Sequence, residues 1–440
     1  MKSAIILVYP RIQFEENYPC SWIPFSVLAV AGALPKDEFN VIVFDENRKS
    51  KGEFEALLKQ VKNLICVGFS VMTGGGQIGR ALELAQKVKQ IWNKTPVVFG
   101  GPHVNVLPEE TMRHPLVDIV LSGPGQASFP LLIQALRGEI GLKDVPGIMA
   151  KVKDELVCGN PNKLKKNTLV PYDFGFIDVN DYVQDDSTIA GRTINYISSQ
   201  GCAHKCRFCY ETNYRKKWGK LPCENVVADI ESFVTSFNAD GIKFYDADWF
   251  VDFKRSENLI EELTRLNVSW AASIHPKDIL RAVAKNQPLL AKLAAGKCKR
   301  LLMGIESGSD RVLREIVDKG AAKAEIFKAA KAIADCGILG SYTFIVGFPD
   351  ESAEEQGETF EFIKALWDLS PRPETRVHIY TPYPGTPLYG DALAMGFSPP
   401  EKLEDWSDFD YYKAQTPWAD TALESKVKEF TSMVPKIGGL

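Results

Sequence analysis

Three cysteines crowded into one short segment are the residues of this chain best suited to chemistry. Cys202, Cys206 and Cys209 stand in the run Ser-Gln-Gly-Cys-Ala-His-Lys-Cys-Arg-Phe-Cys-Tyr, directly after a predicted strand. Thiolates are soft ligands that favour iron–sulfur clusters or zinc. Three thiolates at this spacing can bind three irons of one cubane and leave the fourth iron without a protein ligand. A catalytic cluster needs such an open site, so the segment predicts a reactive metal centre.

Three other interpretations compete with a catalytic cluster. A zinc site needs a fourth ligand, and His204 is the nearest candidate, although so short a loop can hardly fold four donors around one ion. A cluster that only transfers electrons is normally ligated fully by protein. Structural thiols are the third alternative, and their crowding argues against it. The other six of the nine cysteines are scattered, and we interpret them as ordinary buried thiols: Cys20, Cys66, Cys158, Cys223, Cys298 and Cys336.

The composition is that of a globular protein and argues against several partners. Of the 440 residues, 45% are hydrophobic and 25% are charged, and the net charge of −4 gives no reason to expect nucleic acid as a partner. No run of about 18 apolar residues occurs, so we expect no transmembrane span. The apolar run after Met1 leads into Pro10 without a small-residue cleavage site, which predicts a buried strand and a cytoplasmic protein.

Residues 1–140 alternate between short apolar runs and amphipathic segments of helix length. This alternation predicts a doubly wound, flavodoxin- or Rossmann-like α/β domain, with any ligand at the carboxyl ends of its strands. Strands are predicted at 4–9, 41–44, 64–69, 97–100 and 118–121, and helices at 25–34, 53–61, 78–92 and 129–136. We interpret residues 141–193, where the alternation fades, as a linker.

Strand–helix alternation resumes over residues 194–396. The six βα units are fewer than the eight of a closed barrel, so we predict a partial (β/α)₆ barrel with the cysteines after its first strand. The strands are predicted at 195–199, 241–246, 269–274, 300–305, 340–346 and 376–380. The aromatic-rich C-terminal segment 397–440 is expected to cap the mouth of this barrel.

The cysteine spacing resembles the Cys-x₃-Cys-x-aromatic-Cys signature of radical S-adenosylmethionine (SAM) enzymes, with Phe208 as the aromatic residue. The resemblance implies that Cys202, Cys206 and Cys209 hold a 4Fe–4S cluster whose fourth iron is chelated by SAM. It also implies reductive cleavage of SAM to a 5′-deoxyadenosyl radical, with the electron supplied by a donor such as flavodoxin or ferredoxin.

Three later segments resemble the SAM-binding elements of the same family, in the usual order along the chain. Phe-Tyr-Asp-Ala-Asp ends a strand at 244–248, Gly-Ile-Glu-Ser-Gly at 304–308, and Phe-Ile-Val-Gly-Phe-Pro at 344–349. Strand ends of this kind converge on one mouth of a barrel. Each segment taken alone is equally an ordinary strand end with glycine in the turn. The resemblance assigns SAM contacts to Phe208, Asp246, Asp248, Glu306, Ser307, Phe344 and Gly347.

The N-terminal pattern resembles the cobalamin-binding domain that precedes the barrel in one radical SAM class. The matching stretches lie at or just after predicted strand ends, where glycine lets the backbone approach a ligand. The resemblance assigns cobalamin contacts to Ser70, Thr73, Gly74, Gly100, Gly101, His103, Gly123 and Gly125.

Two departures from that class bear on cobalamin. Asn47 stands where mutase- and methionine-synthase-type domains have a cobalt-coordinating histidine, which implies base-off binding without a histidine ligand. Gly-Pro-Gly-Gln occupies 123–126, where the family usually has Gly-Glu-Gly-Glu. The alternative is a retained domain that shapes the active site or docks a partner without binding cobalamin.

Together the resemblances predict a cobalamin-dependent radical SAM methyltransferase that acts on an unactivated carbon of a small molecule or a peptide. A radical SAM enzyme of rearrangement, cyclisation or dehydration, with cobalamin absent or not transferring methyl groups, is the alternative among enzymes. A non-catalytic metal-cluster-binding protein is the alternative from another class. The residues predicted to line the substrate cavity are Tyr210, His275, Tyr342 and His378.

Overall fold

The structure is a computed structural model of the 440-residue chain. It describes residues 2–12, 22–153, 155–160, 169–211, 218–284, 288–409 and 413–432, so the predicted buried thiol of Cys20 lies outside the described residues. The chain divides into two compact units. The first comprises Met1–Asp181 with Pro399–Asp410, and the second comprises Tyr182–Ser398 with Tyr411–Leu440. No helix in the described ranges is both long and apolar enough to cross a bilayer.

A seven-stranded sheet of order β2-β1-β3-β4-β5-β6-β7 forms the first unit. The neighbouring strands among β1 to β5 run parallel, and their Val, Ile and Leu side chains are largely buried. This 2-1-3-4-5 order is that of a flavodoxin-like sheet, so the predicted fold is confirmed. The strands are β1 (Ser3–Tyr9), β2 (Phe39–Asp45), β3 (Leu64–Ser70), β4 (Val97–Gly100), β5 (Ile119–Leu121), β6 (Ile148–Val152) and β7 (Glu155–Cys158).

Amphipathic helices cover this sheet. Phe129, Leu132 and Ile133 of one helix join Val27 and Ala31 of another in a core with the sheet residues, because apolar side chains three or four positions apart share a helix face. The helices are α1 (Phe25–Ala31), α2 (Glu53–Gln60), α3 (Gln77–Ile91), α4 (Pro102–Val106), α5 (Pro108–Arg113) and α6 (Gly125–Leu136).

Two strands of the first sheet lie within residues 141–193, the range predicted to be a linker. β6 pairs antiparallel with β5, and β7 pairs antiparallel with β6, so both extend the first sheet. Gly147 permits the approach to β6, because its φ is +74° and a Cβ there would lie 2.2 Å from the carbonyl oxygen of Ser122. The βα alternation could not reveal this pair, since no helix separates its strands.

A second seven-stranded sheet, of order β16-β15-β14-β13-β12-β9-β8, forms the second unit. Its neighbouring strands are parallel except for the antiparallel edge strand β8. Six parallel strands therefore form the predicted partial barrel, and its first strand begins earlier than expected. The strands are β8 (Gln184–Asp186), β9 (Ala190–Tyr196), β12 (Gly241–Phe244), β13 (Ser269–Ser273), β14 (Cys298–Glu306), β15 (Leu339–Val346) and β16 (Glu374–Ile379).

Helices and a small ribbon complete this unit. The ribbon pairs β10 (Ser199–Gln200) with β11 (Gly219–Lys220). A short π-helical turn, Val312–Ile316, follows β14. The α-helices are α7 (Cys223–Phe237), α8 (Phe253–Arg265), α9 (Pro276–Ala284), α10 (Leu289–Ala295), α11 (Lys323–Asp335), α12 (Ala353–Trp367), α13 (Pro387–Ala394) and α14 (Thr421–Ser432).

The two faces of the barrel sheet differ in exposure along the carboxyl halves of its strands. In β15, Tyr342 and Phe344 are buried, whereas Thr343 and Ile345 beside them are partly exposed. Successive side chains of a strand point to opposite faces, and helices cover the outer face. The partly exposed set therefore faces an open interior, and it comprises Tyr245, Ser273, Leu302, Gly304, Thr343, Ile345, Arg376 and His378.

The C-terminal residues, expected to form one cap on the barrel, divide between the two units. The segment 399–409 packs in the first unit, where Gly79 donates its backbone N–H to the hydroxyl of Ser407 at 2.7 Å. α14 packs on the edge strand β16 of the second unit, and its Phe430 lies against Phe360 of α12 with ring centroids 4.5 Å apart. The aromatic residues Tyr411 and Tyr412 lie outside the described residues.

Candidate active site

The cysteine loop, defined as residues 202–209, follows β10 after the first parallel strand of the barrel. Arg207 anchors the middle of this loop. Its backbone N–H donates to the carbonyl of Val317 at 2.9 Å, and its guanidinium donates to the carboxylate of Asp391 at 2.7 Å. The loop is therefore tied both to the segment after β14 and to α13, which restricts where its thiols can lie.

The three thiols are not gathered as the ligands of one ion would be. In the described part of the chain, the sets of three donor atoms within 4.8 Å of one another are Cys202 with His204 and Asp248, and His204 with His275 and Asp278. The three cysteines do not form such a set. One zinc ion with bonds of about 2.3 Å would hold three sulfurs within about 3.8 Å of each other. The three thiols are therefore not grouped as the ligands of a single zinc ion.

Burial disfavours the charged form of these thiols. It raises the pKa of Cys202 to about 12 and also raises the pKa of Cys206. The ammonium of Lys319 has the opposite effect on the pKa of Cys206. Because metals bind thiolates, a positive charge here favours ligation. The sequence patterns predict no role for Lys319. The one feature that could have pointed to it is its position after the Gly-Ile-Glu-Ser-Gly motif within the same βα unit.

Glu306 ends β14 with a φ of +76°, a conformation that residues other than glycine seldom adopt. Its carboxylate folds back and pairs with Lys319 at 2.8 Å, and both side chains are buried. A Cβ at Gly304 would lie 2.4 Å from Glu306 Oε1, so this glycine makes room for the carboxylate. The unusual backbone persists because the buried ion pair holds it. Direct contact of Glu306 with SAM stays a prediction.

Asp246 is 1% exposed and accepts hydrogen bonds from the residues that lead into the cysteine loop. Ser198 donates through its N–H at 3.0 Å and its hydroxyl at 2.7 Å, and the hydroxyl of Ser199 also donates. Arg255 donates to the carbonyl of Ser198 at 3.1 Å. The carboxylate of Asp246 therefore positions the start of the loop, and its predicted contact with SAM stays a prediction.

Ser307 is fully buried, and its hydroxyl lies 3.1 Å from the hydroxyl of Thr359 in α12. The backbone N–H of Ser309 donates to Ser307 Oγ at 3.1 Å. A Cβ at Gly308 would lie 2.5 Å from the carbonyl oxygen of Glu358. The predicted SAM motif thus packs closely against α12, which explains its second glycine.

His204 lies between two carboxylates from neighbouring elements. Its Nε2 is 3.2 Å from Asp248 Oδ2 and 3.3 Å from Asp278 Oδ2, and its ring stacks on His275 with centroids 3.4 Å apart. Burial lowers the pKa of His204, but the two carboxylates outweigh burial and raise it overall. Burial, with Lys319, lowers the pKa of His275 far below its ordinary value. The cysteine loop is thereby tied to the end of β12 and to α9.

A glycine turn after β15 lies beside the cysteine loop. Gly347 has a φ of +78°, and its N–H and that of Phe348 both donate to Glu351 Oε2. Burial raises the pKa of Glu351 to about 8. The ring centroid of Phe208 lies 6.0 Å from that of Phe348. The structure therefore brings the predicted SAM residues Phe208 and Gly347 to the same region.

Tyr342 faces away from the barrel interior. It is buried, and its hydroxyl donates to the carbonyl of Ala330 in α11 at 3.4 Å. The prediction that Tyr342 lines the cavity is wrong, because its side chain lies on the face of β15 that packs against the helices. Phe344 shares that face and packs on Phe362, with ring centroids 6.4 Å apart. Only the backbone of Phe344 is left for its predicted contact with SAM.

The other predicted cavity residues differ in their positions. His378 lies opposite Ile345 and is partly exposed on the inner face of the sheet. Tyr210 directly follows the cysteine loop and is partly exposed. His275 is 7% exposed beneath the ring of His204. His378 and Tyr210 thus remain candidates for the lining, whereas His275 supports the loop.

The residues predicted to contact cobalamin lie in the first unit, at or after the carboxyl ends of β3, β4 and β5. Ser70 Oγ donates to Ser26 Oγ at 2.8 Å, and Thr73 Oγ1 lies 2.9 Å from His103 Nδ1. His103 is fully buried, and burial lowers its pKa to about 4. The ring of His103 is therefore neutral, and it supports the loop after β3 through its contact with Thr73.

Glycines 74–76 all have positive φ angles. Gly74 donates its N–H to the carbonyl of Trp406 at 3.1 Å, and a Cβ on Gly74 would lie 2.3 Å from the carbonyl oxygen of Phe409. The side chain of Trp406 is fully buried with its ring 5.6 Å from that of His103. Gly74 is thus required by the segment 399–409, a role that the sequence pattern did not reveal.

The neighbouring strand ends leave their backbone accessible. Gly100, Gly101 and residues 122–126, which include Gly123 and Gly125, are partly exposed, whereas the strand residues before them are buried. Where side chains are absent, a ligand can approach the backbone at the carboxyl edge of a doubly wound sheet. This edge therefore fits a cofactor with a nucleotide tail, such as cobalamin.

Two family models match the chain. A B12 binding domain matches residues 16–133, and the Radical SAM superfamily matches residues 196–363. The second match includes the cysteine loop and the motif at 304–308.

Relatives and solved structures are similar over most of the chain. An uncharacterized methyltransferase of Pyrococcus horikoshii is 29% identical over 83% of this chain and 78% of that protein. The anaerobic magnesium-protoporphyrin IX monomethyl ester cyclase of Rubrivivax gelatinosus is 24% identical over 94% of this chain and 73% of that protein. The radical S-adenosylmethionine methyltransferase TsrM of Kitasatospora setae shares the fold, with a TM-score of 0.74, 15% identity, and coverage of 100% of this chain and 92% of that chain. The two matches give the chain a B12 binding domain ahead of a radical SAM domain.

Proposed function

We propose that the chain is a cobalamin-dependent radical SAM methyltransferase. The observation that carries the proposal is the cysteine loop, which presents Cys202, Cys206 and Cys209 directly after the first parallel strand of a partial barrel. When bound, the 4Fe–4S cluster supplies the electron that cleaves SAM to a 5′-deoxyadenosyl radical, and cobalamin carries the methyl group.

Cys202, Cys206 and Cys209 are the proposed ligands of the cluster. Arg207 holds the middle of their loop, and Asp246 holds the residues that lead into it. Both anchors act through backbone or carboxylate contacts and not through the thiols. Because the loop offers three thiols, one iron of a cubane stays open for the amino and carboxylate groups of SAM.

The proposed SAM site is formed by strand ends around the cysteine loop. Glu306 is oriented by Lys319, and the turn at Gly347 is oriented by Glu351. The aromatic ring of Phe208 lies on the side of that turn and excludes water, which protects a reactive radical. Asp248, Ser307 and the backbone of Phe344 complete the proposed set.

The first unit is the proposed cobalamin site. Its accessible backbone at Gly100, Gly101, Gly123 and Gly125 receives the nucleotide tail, with Ser70 and Thr73 at the adjacent strand end. His103 is assigned to positioning rather than contact, because its ring is buried and supports Thr73. Gly74 is likewise assigned to the packing of segment 399–409.

An electron donor such as flavodoxin or ferredoxin and a cytoplasmic location belong to the same proposal. Eight cysteines in the described part of the chain are free thiols, and three of them stand in the cysteine loop. Compartments that keep thiols reduced, as the cytosol does, suit such a chain. The relative in Pyrococcus horikoshii is named a methyltransferase and supports the proposed reaction class.

The test uses the full-length protein, reconstituted anaerobically with iron, sulfide and hydroxocobalamin. We expect absorption of both cofactors in the desalted protein. With dithionite and SAM, we expect 5′-deoxyadenosine and S-adenosylhomocysteine, which report radical formation and methyl transfer. Absence of 5′-deoxyadenosine from protein with an intact cluster would refute radical chemistry, and failure to retain cobalamin would refute cobalamin-dependent methyl transfer.

A radical SAM cyclisation or rearrangement is the second candidate. It is favoured by the similarity to the cyclase of Rubrivivax gelatinosus, which extends over 94% of this chain, and by Pro124 and Gln126 in the loop after β5. This candidate predicts 5′-deoxyadenosine without S-adenosylhomocysteine. The same assay therefore separates the two reactions.

A further inference from the structure

The interior of the barrel contains a layer of charged side chains that the proposed cofactor sites do not use. Arg300 Nη2 lies 3.1 Å from Asp186 Oδ2, and Lys243 Nζ lies 3.8 Å from the same oxygen. Arg300 Nη1 is 3.9 Å from the carboxylate of Glu374. With Arg376, which follows on β16, three cations thus stand against two carboxylates in this layer.

Arg376 is the cation of this layer that stays unpaired. Its guanidinium forms no hydrogen bond or ion pair with any residue in the described ranges. Arg300, Asp186 and Glu374 are at most 5% exposed, whereas Arg376 is partly exposed. The unsatisfied positive charge is therefore the one that solvent, or a ligand inside the barrel, can reach.

The register of the sheet places Arg376 near Glu306 of the proposed SAM site. Arg376 lies opposite Thr343, and Thr343 lies opposite Gly304, two positions before Glu306. The space that a side chain at Gly304 would fill is occupied by the carboxylate of Glu306, with the ammonium of Lys319 beside it. The hydroxyl of Thr343 makes no hydrogen bond within the described residues and can donate to a ligand beside the guanidinium.

The surroundings make this arginine a site for an anion rather than for a cation or a neutral group. The carboxylates of Asp186 and Glu374 balance Arg300 and Lys243, so the net positive charge of the layer is that of Arg376. Burial, with Arg376, lowers the pKa of the adjacent His378 to about 4, so the neighbouring ring is neutral and brings no competing charge. A planar guanidinium binds carboxylate or phosphate through two parallel hydrogen bonds.

We propose that Arg376 binds an anionic group of the substrate, a carboxylate or a phosphate, inside the barrel. This inference rests on the proposed function, because it places the substrate in the interior onto which the cysteine loop and Glu306 open. It assigns the substrate to the anionic small molecules or to peptides with an acidic group at the reacting end.

The test measures anion binding to the reconstituted full-length protein by calorimetry, with benzoate as the carboxylate probe and inorganic phosphate as the other. Saturable binding of one probe is expected, and the two arms identify which anion the site takes. Arg376→Gln should weaken that binding by about tenfold or more, as expected for loss of a charged bidentate partner. Arg376→Lys should retain part of it. Arg314→Gln is the matched control, because Arg314 is exposed and pairs with Glu315 on the surface.

Three outcomes would overturn the inference. In the first, the native protein binds neither probe. In the second, native protein and Arg376→Gln bind the probe equally well. In the third, Arg376→Gln loses as much affinity for SAM as for the probe. The last result would assign Arg376 to the carboxylate of SAM. If the circular dichroism of Arg376→Gln shows misfolding, Arg376→Lys decides, and unchanged probe affinity there counts against the site. Formation of 5′-deoxyadenosine by the native protein tests the proposed function separately.

Discussion

Lys319 Nζ lies 2.8 Å from Glu306 Oε1, and both side chains are almost fully buried where β14 ends. Burial alone would lower the pKa of Lys319, but the carboxylate of Glu306 and the thiolate forms of Cys206 and Cys209 reverse the direction and raise it. One lysine therefore serves two neighbours. It holds a carboxylate in the proposed SAM site, and it offers positive charge to the cysteine loop.

Lys319→Met should be strongly destabilising. It removes one partner of a buried ion pair and leaves the carboxylate of Glu306 without compensation, which typically costs about 3–5 kcal/mol. The free energy of unfolding in urea, measured for the cluster-free protein, checks this. The double variant Glu306→Gln with Lys319→Met removes both charges and should recover most of the loss. Equal stability of the single and double variants would contradict the pairing.

Cys202→Ala, Cys206→Ala and Cys209→Ala should each lower the iron content of the reconstituted protein, and the triple variant should bind no cluster. The physical reason is that three thiolates are the smallest set that holds a cubane in this loop. Iron and sulfide analysis with the visible absorption spectrum measures the effect. Cys158→Ala is the control, because Cys158 is an exposed thiol at the end of β7. A cluster that survives the triple change would refute the ligand assignment.

Asp246→Asn should loosen the start of the cysteine loop. The asparagine keeps one acceptor oxygen, but its amide group cannot accept a hydrogen bond from the N–H of Ser198 or the hydroxyl of Ser199. A buried donor without its partner costs about 1–3 kcal/mol. We expect a lower midpoint of thermal unfolding and slower cluster reconstitution. Asp335→Asn is a surface comparison, because Asp335 pairs with Lys331 and both side chains are exposed; an equal effect of the two changes would contradict the special role of Asp246.

Glu351 should make the stability of the second unit depend on pH. Burial raises its pKa in the folded protein from 4.5 to about 8, so the folded state holds this proton more tightly than the unfolded state. Its stabilising effect is complete below about pH 4.5 and is lost as the pH rises through 8. Glu351→Gln keeps an acceptor for Gly347 and Phe348 and removes this titration.

Unfolding free energies of native protein and Glu351→Gln at pH 6 and pH 9 provide the measurement. Between these two pH values, the free energy of unfolding of the native protein should fall by roughly 2–4 kcal/mol more than that of the variant, since one pKa unit corresponds to about 1.4 kcal/mol. Parallel pH profiles for the two proteins would show that Glu351 does not titrate in this range.

Trp406→Ala should destabilise the first unit, although Trp406 is distant in sequence from most residues of that unit. Its side chain is fully buried against His103 and Phe409, and its indole N–H donates to Glu110. Removal of a buried tryptophan typically costs about 3–5 kcal/mol. The affinity for hydroxocobalamin, followed by absorbance, should fall as well, because segment 399–409 supports Gly74. Leu393→Ala, at a side chain 42% exposed, is the control; a matching loss there would contradict this role of Trp406.

The sequence by itself determined the order of elements and the chemistry of the metal centre. Parallel strands buried on both faces need continuous apolar runs, and crossover helices need a 3.6-residue rhythm, so both are visible locally. The spacing of Cys202, Cys206 and Cys209 is likewise local, because one loop carries all three. The antiparallel strands β6 and β7 escaped this reasoning since their short pairing carries no helix between strands.

Only the tertiary structure decided which side chains face which neighbour. Tyr342 and Thr343 are adjacent in β15, so Tyr342 faces the helices and Thr343 faces the interior. No local pattern in the sequence distinguishes the inner from the outer face of a sheet that is buried on both sides. The roles of Lys319, Arg376 and Trp406 could not be read from the sequence, because they depend on surroundings built from residues distant along the chain. Their importance follows from burial and from paired or unpaired charge, which are properties of the folded chain alone.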